Sequence, residues 1–296
     1  PDYYLLGFRG HEIFWLVKLI TLGKPLIFDS LLSPTASLLE ENKFGKLGVI
    51  GGKFLFFLER IMLHQADHLL TDTQLHANFL CTYFQLPSQK ISPLPVGADE
   101  TWQASPPRQS RTTPLEILFY GSFLPLHGMS IMLEAAARLK DKPIHFTFIG
   151  GTGKNLREFN KLKTNLGLHE QVTHLNWVTF DTLHKHYLAN ADLGLGGPFG
   201  NTPQARRVVT GKTSQFLAMA KPTIIGAIAE PIGFLDKQNC LLVPQGNIEA
   251  LVQAIEWAYL HPEELKRIGQ AGLQLYQTTL SITQIAQRLT TVLDAC

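Results

Sequence analysis

Leu115-Glu-Ile-Leu-Phe-Tyr-Gly-Ser-Phe-Leu-Pro-Leu-His-Gly128 is the stretch on which the fold turns. Residues 115–120 form an apolar run of strand length, and 128–140 continue with apolar positions at helical period. Between them, Gly121 and Gly128 bracket a turn, giving the backbone freedom where a strand end meets a helix start. Strand, glycine-bearing turn and helix in that order open a parallel, helix-covered sheet, whose ligands gather at the strands' carboxyl ends.

The same alternation runs in both directions. Downstream, strands are expected at 144–149, 172–175, 192–195, 223–225 and 240–243, with helices over 153–165, 179–189, 205–219, 247–260, 262–277 and 281–295. Upstream, strands at 3–6, 25–28, 68–71 and 91–95 are separated by helical patterns near 11–22, 52–65 and 73–84, and Asp72-Thr73 supplies an N-cap for the last. Residues 102–114 hold three prolines and no apolar period, which reads as a linker. The expectation is an α/β chain: a first parallel-sheet domain over 1–104, a second over 105–280, and a C-terminal helix at 281–296 packing back on the first. Pro1-Asp2 lies directly before the apolar run 3–6, so the first domain is expected to be incomplete.

Composition narrows the function classes. The 296 residues are 45% hydrophobic and 17% charged, the balance of a globular chain rather than a disordered one. A net charge of +2 is too small for a nucleic-acid binder. It divides unevenly: residues 1–104 carry 8 basic and 10 acidic side chains, residues 105–296 carry 18 and 14, so an anionic ligand is expected in the second part. Cys81, Cys240 and Cys296 are widely spaced and odd in number, indicating neither a disulfide framework nor a zinc site and pointing to a reducing, cytoplasmic setting. No apolar run reaches the roughly 20 residues of a membrane span.

Three glycine-bearing turns follow strands in the second part. Besides 121–128 there is Gly150-Gly-Thr-Gly153, equally readable as a tight connection without a ligand. The third, Gly196-Gly-Pro-Phe-Gly-Asn-Thr202, feeds Arg206, Arg207, Lys212 and Gln215. On one helix over 205–219, Lys212 and Gln215 would share a face and Arg207 would stand two turns before Gln215. Cations beside a glycine loop suit a phosphorylated ligand, and a solvated basic face is the plain alternative.

With these residues in hand, a resemblance becomes visible. Residues 118–128 followed by Leu133-Glu-Ala-Ala-Ala137 resemble the strand, loop and helix that open the C-terminal domain of family 4 glycosyltransferases, retaining enzymes of the two-Rossmann GT-B fold. Phe148-Ile-Gly-Gly-Thr-Gly153, Asn176-Trp-Val178, Ala189-Asn-Ala-Asp192, Ala218-Met-Ala-Lys-Pro222, Asn239-Cys-Leu-Leu-Val-Pro244 and the segment 248–255 follow in the family's order. Upstream, Asp72-Thr-Gln-Leu-His76 and Pro95-Val-Gly-Ala-Asp99 resemble the end of the family's N-terminal domain. The resemblance implies a nucleotide-sugar donor and a hydroxyl acceptor (glycan, lipid or small molecule), with no metal or other cofactor. It directs the backbone of 121–128, including Gly121, Ser122, His127 and Gly128, to the donor diphosphate. Val178 faces the nucleobase, Asn201 and Thr202 the donor sugar, Lys212 the phosphates and Gln215 the ribose.

The chain also departs from the family pattern. Gly-Arg-x-x-x-x-Lys-Gly is replaced by a loop with Ser122 and His127, so Arg206, Arg207 and Lys212 are expected to supply the missing charge. The family's Glu-x7-Glu pair falls on Arg207 and Gln215, whose amide oxygen accepts from one ribose hydroxyl but lacks a carboxylate's charge. Two other readings stay open: a non-catalytic GT-B relative that binds a nucleotide or partner, and another GT-B enzyme such as a nucleotide-sugar epimerase. On the acceptor side, Asp29 at a strand end and Arg9 with His11 after another are candidates, against the alternatives of a helix cap and surface polar groups. Phe54-Leu-Phe-Phe-Leu58, near Lys46 and Lys53, reads chiefly as core packing and is also compatible with peripheral docking on the inner membrane face. His184 and His186, two apart on a helix, cannot share a metal.

Overall fold

The computed structural model describes residues 2–40, 45–99, 101 and 114–295. The chain divides into two compact units, residues 1–95 with 285–296, and residues 96–284. As the alternation predicts, every strand of both units pairs in parallel.

The first unit holds a sheet in the order β1 (Tyr4–Leu6), β2 (Leu26–Asp29), β3 (His68–Thr71), β4 (Ile91–Pro93). Its register aligns Leu6 with Phe28, Phe28 with Leu69 and Leu69 with Ile91, which makes one apolar row across the sheet. Helices α1 (Phe14–Ile20), α2 (Pro34–Glu40), α3 (Gly45–Gln65) and α4 (Gln74–Phe84) accompany it. Phe14, Met62, Leu63, Leu80 and Phe84 join Leu26, Phe28 and Leu69 in the core. Thr73 caps α4 by accepting from the His76 N–H, the role its sequence position predicts. The core reading of 54–58 holds only in part. Phe56 stacks on Phe84 with centroids 5.1 Å apart, while Phe54, Phe57 and Leu58 are exposed. A helix turning every 3.6 residues cannot aim a continuous apolar run at one neighbour.

The unit boundary falls before Val96 rather than after residue 104. Ala98 is buried with Leu217, Ala218, Ile232, Tyr276 and Leu280, and the Ser214 hydroxyl donates to the Val96 carbonyl, which binds this segment to the second unit. The expected linker lies, apart from Pro114, outside the described residues.

The second unit holds six strands: β5 (Leu115–Gly121), β6 (Ile144–Gly150), β7 (Val172–Leu175), β8 (Leu193–Leu195), β9 (Thr223–Gly226) and β10 (Leu241–Val243). Their order is β10-β9-β8-β5-β6-β7. Alternation along β5 sends Ile117 and Phe119 to one face, with Met132, Leu133, Phe148 and Ile255, and Leu118 and Tyr120 to the other, with Ile149, Leu188 and Phe216. Each such large side chain taken fully out of water contributes about 1.5–3 kcal/mol. The covering helices are α5 (Met129–Arg138), α6 (Gly153–Asn165), α7 (Phe180–Thr182, continued as a π-helical turn to Leu188), α8 (Gly211–Ala218), α9 (Ile248–Leu260) and α10 (Pro262–Leu275). Helix α11 (Ile282–Ala295) follows, and its residues from Ile285 group with the first unit.

Two of the motif segments are structural. The Asp192 carboxylate accepts the Glu116 N–H at 3.0 Å, and the Lys221 ammonium donates to the Ala189 carbonyl at 2.7 Å, tying the start of β5 and the end of α8 to the segment before β8.

One expected helix is much shorter than its pattern. Residues 203–207 form turns, and α8 starts only at Gly211. Thr210 before it is extended, with its hydroxyl donating to the Gly196 carbonyl at 2.6 Å. That bond holds the chain against the end of β8, and helical backbone begins one residue later.

Candidate functional site

The strand order of the second unit reverses between β5 and β8: sequence order runs outward to β7 on one side and to β10 on the other. At such a switch point the two loops leaving neighbouring strands diverge and open a crevice for a ligand. Here they are residues 121–128 after β5 and 196–202 after β8. The loops touch through backbone: the Gly200 N–H donates to the Leu126 carbonyl at 2.9 Å. A Cβ on Gly200 would lie 2.3 Å from the Pro125 oxygen, and one on Gly128, at φ 71°, would lie 2.7 Å from the Gly200 nitrogen. Both positions therefore require glycine. Gly128 is also the N-cap of α5 and offers no side-chain cap, so the first-turn N–H groups keep their capacity for an acceptor.

Lys212 and His127 meet beneath this loop. The Lys212 Nζ lies 3.2 Å from His127 Nε2 and 5.1 Å from the Phe119 ring centroid, and a Cβ on Gly121 would fall 3.5 Å from the same Nζ. Both side chains are buried, with 9% and 7% of their residues' surface exposed. Burial lowers the Lys212 pKa from its ordinary 10.5 to about 7. Lys212 is the second residue of α8, and its charge there also faces the positive end of the helix dipole. Burial, followed by the Lys212 charge, holds the His127 pKa well below the ordinary imidazole value. On its other side His127 Nδ1 accepts the Leu124 N–H at 3.2 Å. The structure thus gathers Gly121, His127 and Lys212 at one point, with Ser122 (half-buried) and Gly128 in the same loop.

The remaining expected residues fall less simply. Gln215 stands one turn along α8 from Lys212, but its Oε1 accepts from the Tyr120 hydroxyl at 2.6 Å. One of the two lone pairs of the oxygen meant for a ribose hydroxyl is therefore engaged. Burial raises the Tyr120 pKa well above its ordinary value, so this phenol stays neutral and donates. Tyr120 was not anticipated; the available signal was a tyrosine at the end of a buried strand, whose hydroxyl needs a partner. Arg207 is not on the helix with Gln215. It lies in the 203–207 turn, its N–H donating to the Gln204 carbonyl, so the two-turn spacing is not realised. In the same turn Arg206 donates to Asn201 Oδ1 at 2.7 Å, and Thr202 Oγ1 accepts the Ala205 N–H. Asn201 and Thr202 are thereby fixed at the mouth of the β8 loop. Val178 packs against the cluster of Leu118, Tyr120 and Ile149. Its neighbour Trp177 is 53% exposed, with its indole 3.1 Å from where a Cβ on Gly150 would sit. An exposed aromatic ring thus lies beside glycine backbone at the end of a strand.

In the first unit, the strand ends carry a different chemistry. Burial, then the Asp72 charge, raises the Asp29 pKa, with the Leu31 N–H opposing. The next helix, α2, starts only at Pro34 with Ser33 Oγ accepting the Ala36 N–H, so Asp29 is not its N-cap. Asp72 pairs with His76 at 2.8 Å, both buried. The His11 ring packs edge-on against Phe28 at 4.8 Å, and burial lowers its pKa to about 4 against the opposing Glu12 charge. Arg9, at φ 67°, is exposed. Elsewhere, His184 faces the Met219 sulfur, away from any metal role. Among the described residues no group of three His, Cys, Asp or Glu is placed to hold a metal ion, and no helix is long and apolar enough to cross a membrane.

Comparisons with known proteins agree with this geometry. A family model described as Glycosyl transferases group 1 matches residues 114–261, half of the chain. The search of curated proteins gives no match. Among solved structures, sucrose-phosphate synthase from Thermosynechococcus elongatus superposes with a TM-score of 0.78 at 15% identity, covering 98% of this chain and 73% of that one. HepE from Anabaena in complex with UDP-glucose gives 0.77 at 14% identity, covering 99% and 79%. A glycosyltransferase from Rickettsia africae gives 0.65 at 14% identity, covering 99% and 98%. The shared fold is the GT-B fold that the family resemblance implies, built on the parallel α/β sheets that the sequence pattern predicts.

Proposed function

Because this chain belongs to the glycosyl transferases group 1 family, we propose that it moves a sugar from a nucleoside diphosphate sugar to an acceptor hydroxyl, with retention, as a family 4 enzyme. The observation that carries the reading is the buried Lys212 and His127 pair under the 121–128 loop at the switch point. A cation removed from water is costly unless an anion completes it. Two phosphates with their oxygens toward Lys212, His127 Nε2 and the free N–H groups of α5 fit that requirement, and the loop glycines let the backbone approach. As the bond from the anomeric carbon to phosphate oxygen breaks, charge grows on the leaving diphosphate, and these groups stabilise it without reorganising. The acceptor oxygen attacks on the face that the phosphate vacates, and its proton passes to the departing phosphate. Asn201 and Thr202 orient the sugar, Trp177 and the Val178 backbone hold the base, the Gln215 amide donates toward the ribose, and Arg207 adds charge. Asp29, with Arg9 and His11, receives the acceptor.

The UDP-glucose bound by HepE supports a uridine nucleotide as the first donor to try. The test is donor turnover with water as acceptor: the full chain is incubated with UDP-, GDP- and ADP-glucose, and the released sugar is followed by proton NMR. The reading expects one donor to be consumed, with α-glucose appearing before mutarotation. Initial β-glucose would overturn retention, and no release from any donor would overturn the enzyme reading.

Gln215 supports a second reading, binding without transfer. An amide stands in the place of the family's glutamate, and its oxygen is already bonded to Tyr120. In that case nucleotide binds, the parent is inert, and Gln215→Glu gains turnover.

A further inference from the structure

Two observations about His127 combine into a constraint that neither gives alone. Its Nδ1 accepts the Leu124 N–H, which leaves that nitrogen without a proton. In a neutral imidazole the proton then sits on Nε2, the atom 3.2 Å from the Lys212 Nζ. An ammonium has no lone pair, so a charged Lys212 would set donor against donor in a buried site. The contact is a hydrogen bond only when Lys212 is a neutral amine that accepts from Nε2–H.

Among the described residues no carboxylate charge raises the Lys212 pKa. On β5 the neighbours are the Phe119 ring and the neutral Tyr120 phenol, which is bonded to Gln215. In the loop the only ionisable group is His127, and within α8 it is Lys212 itself. In the turn before α8 the charged groups are Arg206, which is bonded to Asn201, and Arg207. Desolvation is the cause of the depressed Lys212 pKa, in the same sense as the geometry.

We infer that donor binding is coupled to protonation: the diphosphate enters with one proton, which converts Lys212 from amine to ammonium. Before binding, His127 donates from Nε2 to the Lys212 amine. After binding, that N–H and the new ammonium both donate to phosphate oxygens, and the proton comes from solvent. No bond other than N–H forms, and no electron pair leaves the pair of side chains. His127, standing where the family has a lysine, thus makes the donor site sensitive to pH around neutrality. This rests on the donor site proposed above, and it adds a regulation that the site's location alone does not imply.

The experiment is isothermal titration of the full chain with UDP-, GDP- and ADP-glucose, in PIPES, HEPES and Tris at matched pH. Sugar nucleotides are chosen because their diphosphate has no group titrating near neutrality, so any proton taken up belongs to the protein. The slope of observed enthalpy against buffer ionisation enthalpy should give about one proton taken up at pH 8 and close to none at pH 6. Lys212→Arg, charged at both pH values, should bind with no proton uptake at either. If that variant does not fold, nitrogen NMR of the wild type supplies the second readout, with His127 Nδ1 remaining unprotonated from pH 6 to 8. Binding with no proton uptake at pH 8, or a protonated Nδ1, overturns this inference and leaves the donor site standing. Failure of all three sugar nucleotides to bind overturns the donor site and this inference together.

Discussion

The carboxyl ends of the two parallel sheets make opposite use of one architecture. In the second unit the ends of β5 and β8 are lined by glycine backbone, an uncapped helix start and a buried lysine and histidine. In the first unit the ends of β2 and β3 carry Asp29 and Asp72, and among the described residues no glycine there meets the backbone of a second loop. The second sheet reverses its strand order between β5 and β8, whereas the first runs β1-β2-β3-β4 without a reversal. On the function proposed above, the cationic end receives the diphosphate and the carboxylate end the hydroxyl-bearing acceptor.

The contrast breaks most severely if backbone is denied its close approach. In Gly200→Ala the new methyl would lie 2.3 Å from the Pro125 oxygen and 2.8 Å from that of Leu126, so the two loops must separate. Overpacking of this kind costs about 1–3 kcal/mol of stability. Nucleotide binding should be lost, which thermal unfolding and titration on the same preparation would check. A smaller effect separates the two ends. Asp29→Asn should lower kcat/KM for the acceptor about tenfold, in line with one charge-assisted hydrogen bond, and leave nucleotide affinity unchanged. A parallel fall in nucleotide affinity would erase the proposed division of labour. Smallest is Tyr120→Phe, which frees the Gln215 oxygen at the loss of one hydrogen bond, about 0.5–1.5 kcal/mol. Nucleotide affinity should shift by less than tenfold, whereas an unchanged value would remove the Gln215 amide from the ribose contact.

Much of this was legible before the coordinates. Strand and helix periods differ enough that β3, β7 and α6 fall on their expected residues. Residue type and order set Lys212 beside the 196–202 loop, and only the family resemblance directed it with the 121–128 loop to one ligand; the structure places its Nζ by His127 and Gly121. What escaped depends on contacts made across the chain. The short α8 results from Thr210 bonding to Gly196, fourteen residues away. The engagement of Gln215 results from Tyr120, ninety-five residues away. The exposed Phe54 and Phe57 show that an apolar run records composition and not direction.

The central claim is that a nucleoside diphosphate completes the buried charge of Lys212. Titrating UDP, GDP and ADP into the wild type and Lys212→Ala tests it most directly. At pH 7 one nucleotide should bind the wild type and bind the variant roughly 10- to 150-fold more weakly, the equivalent of about 1.5–3 kcal/mol for a charge-assisted contact. Equal affinity in a folded variant, or no binding of any of the three to the wild type, would contradict the account.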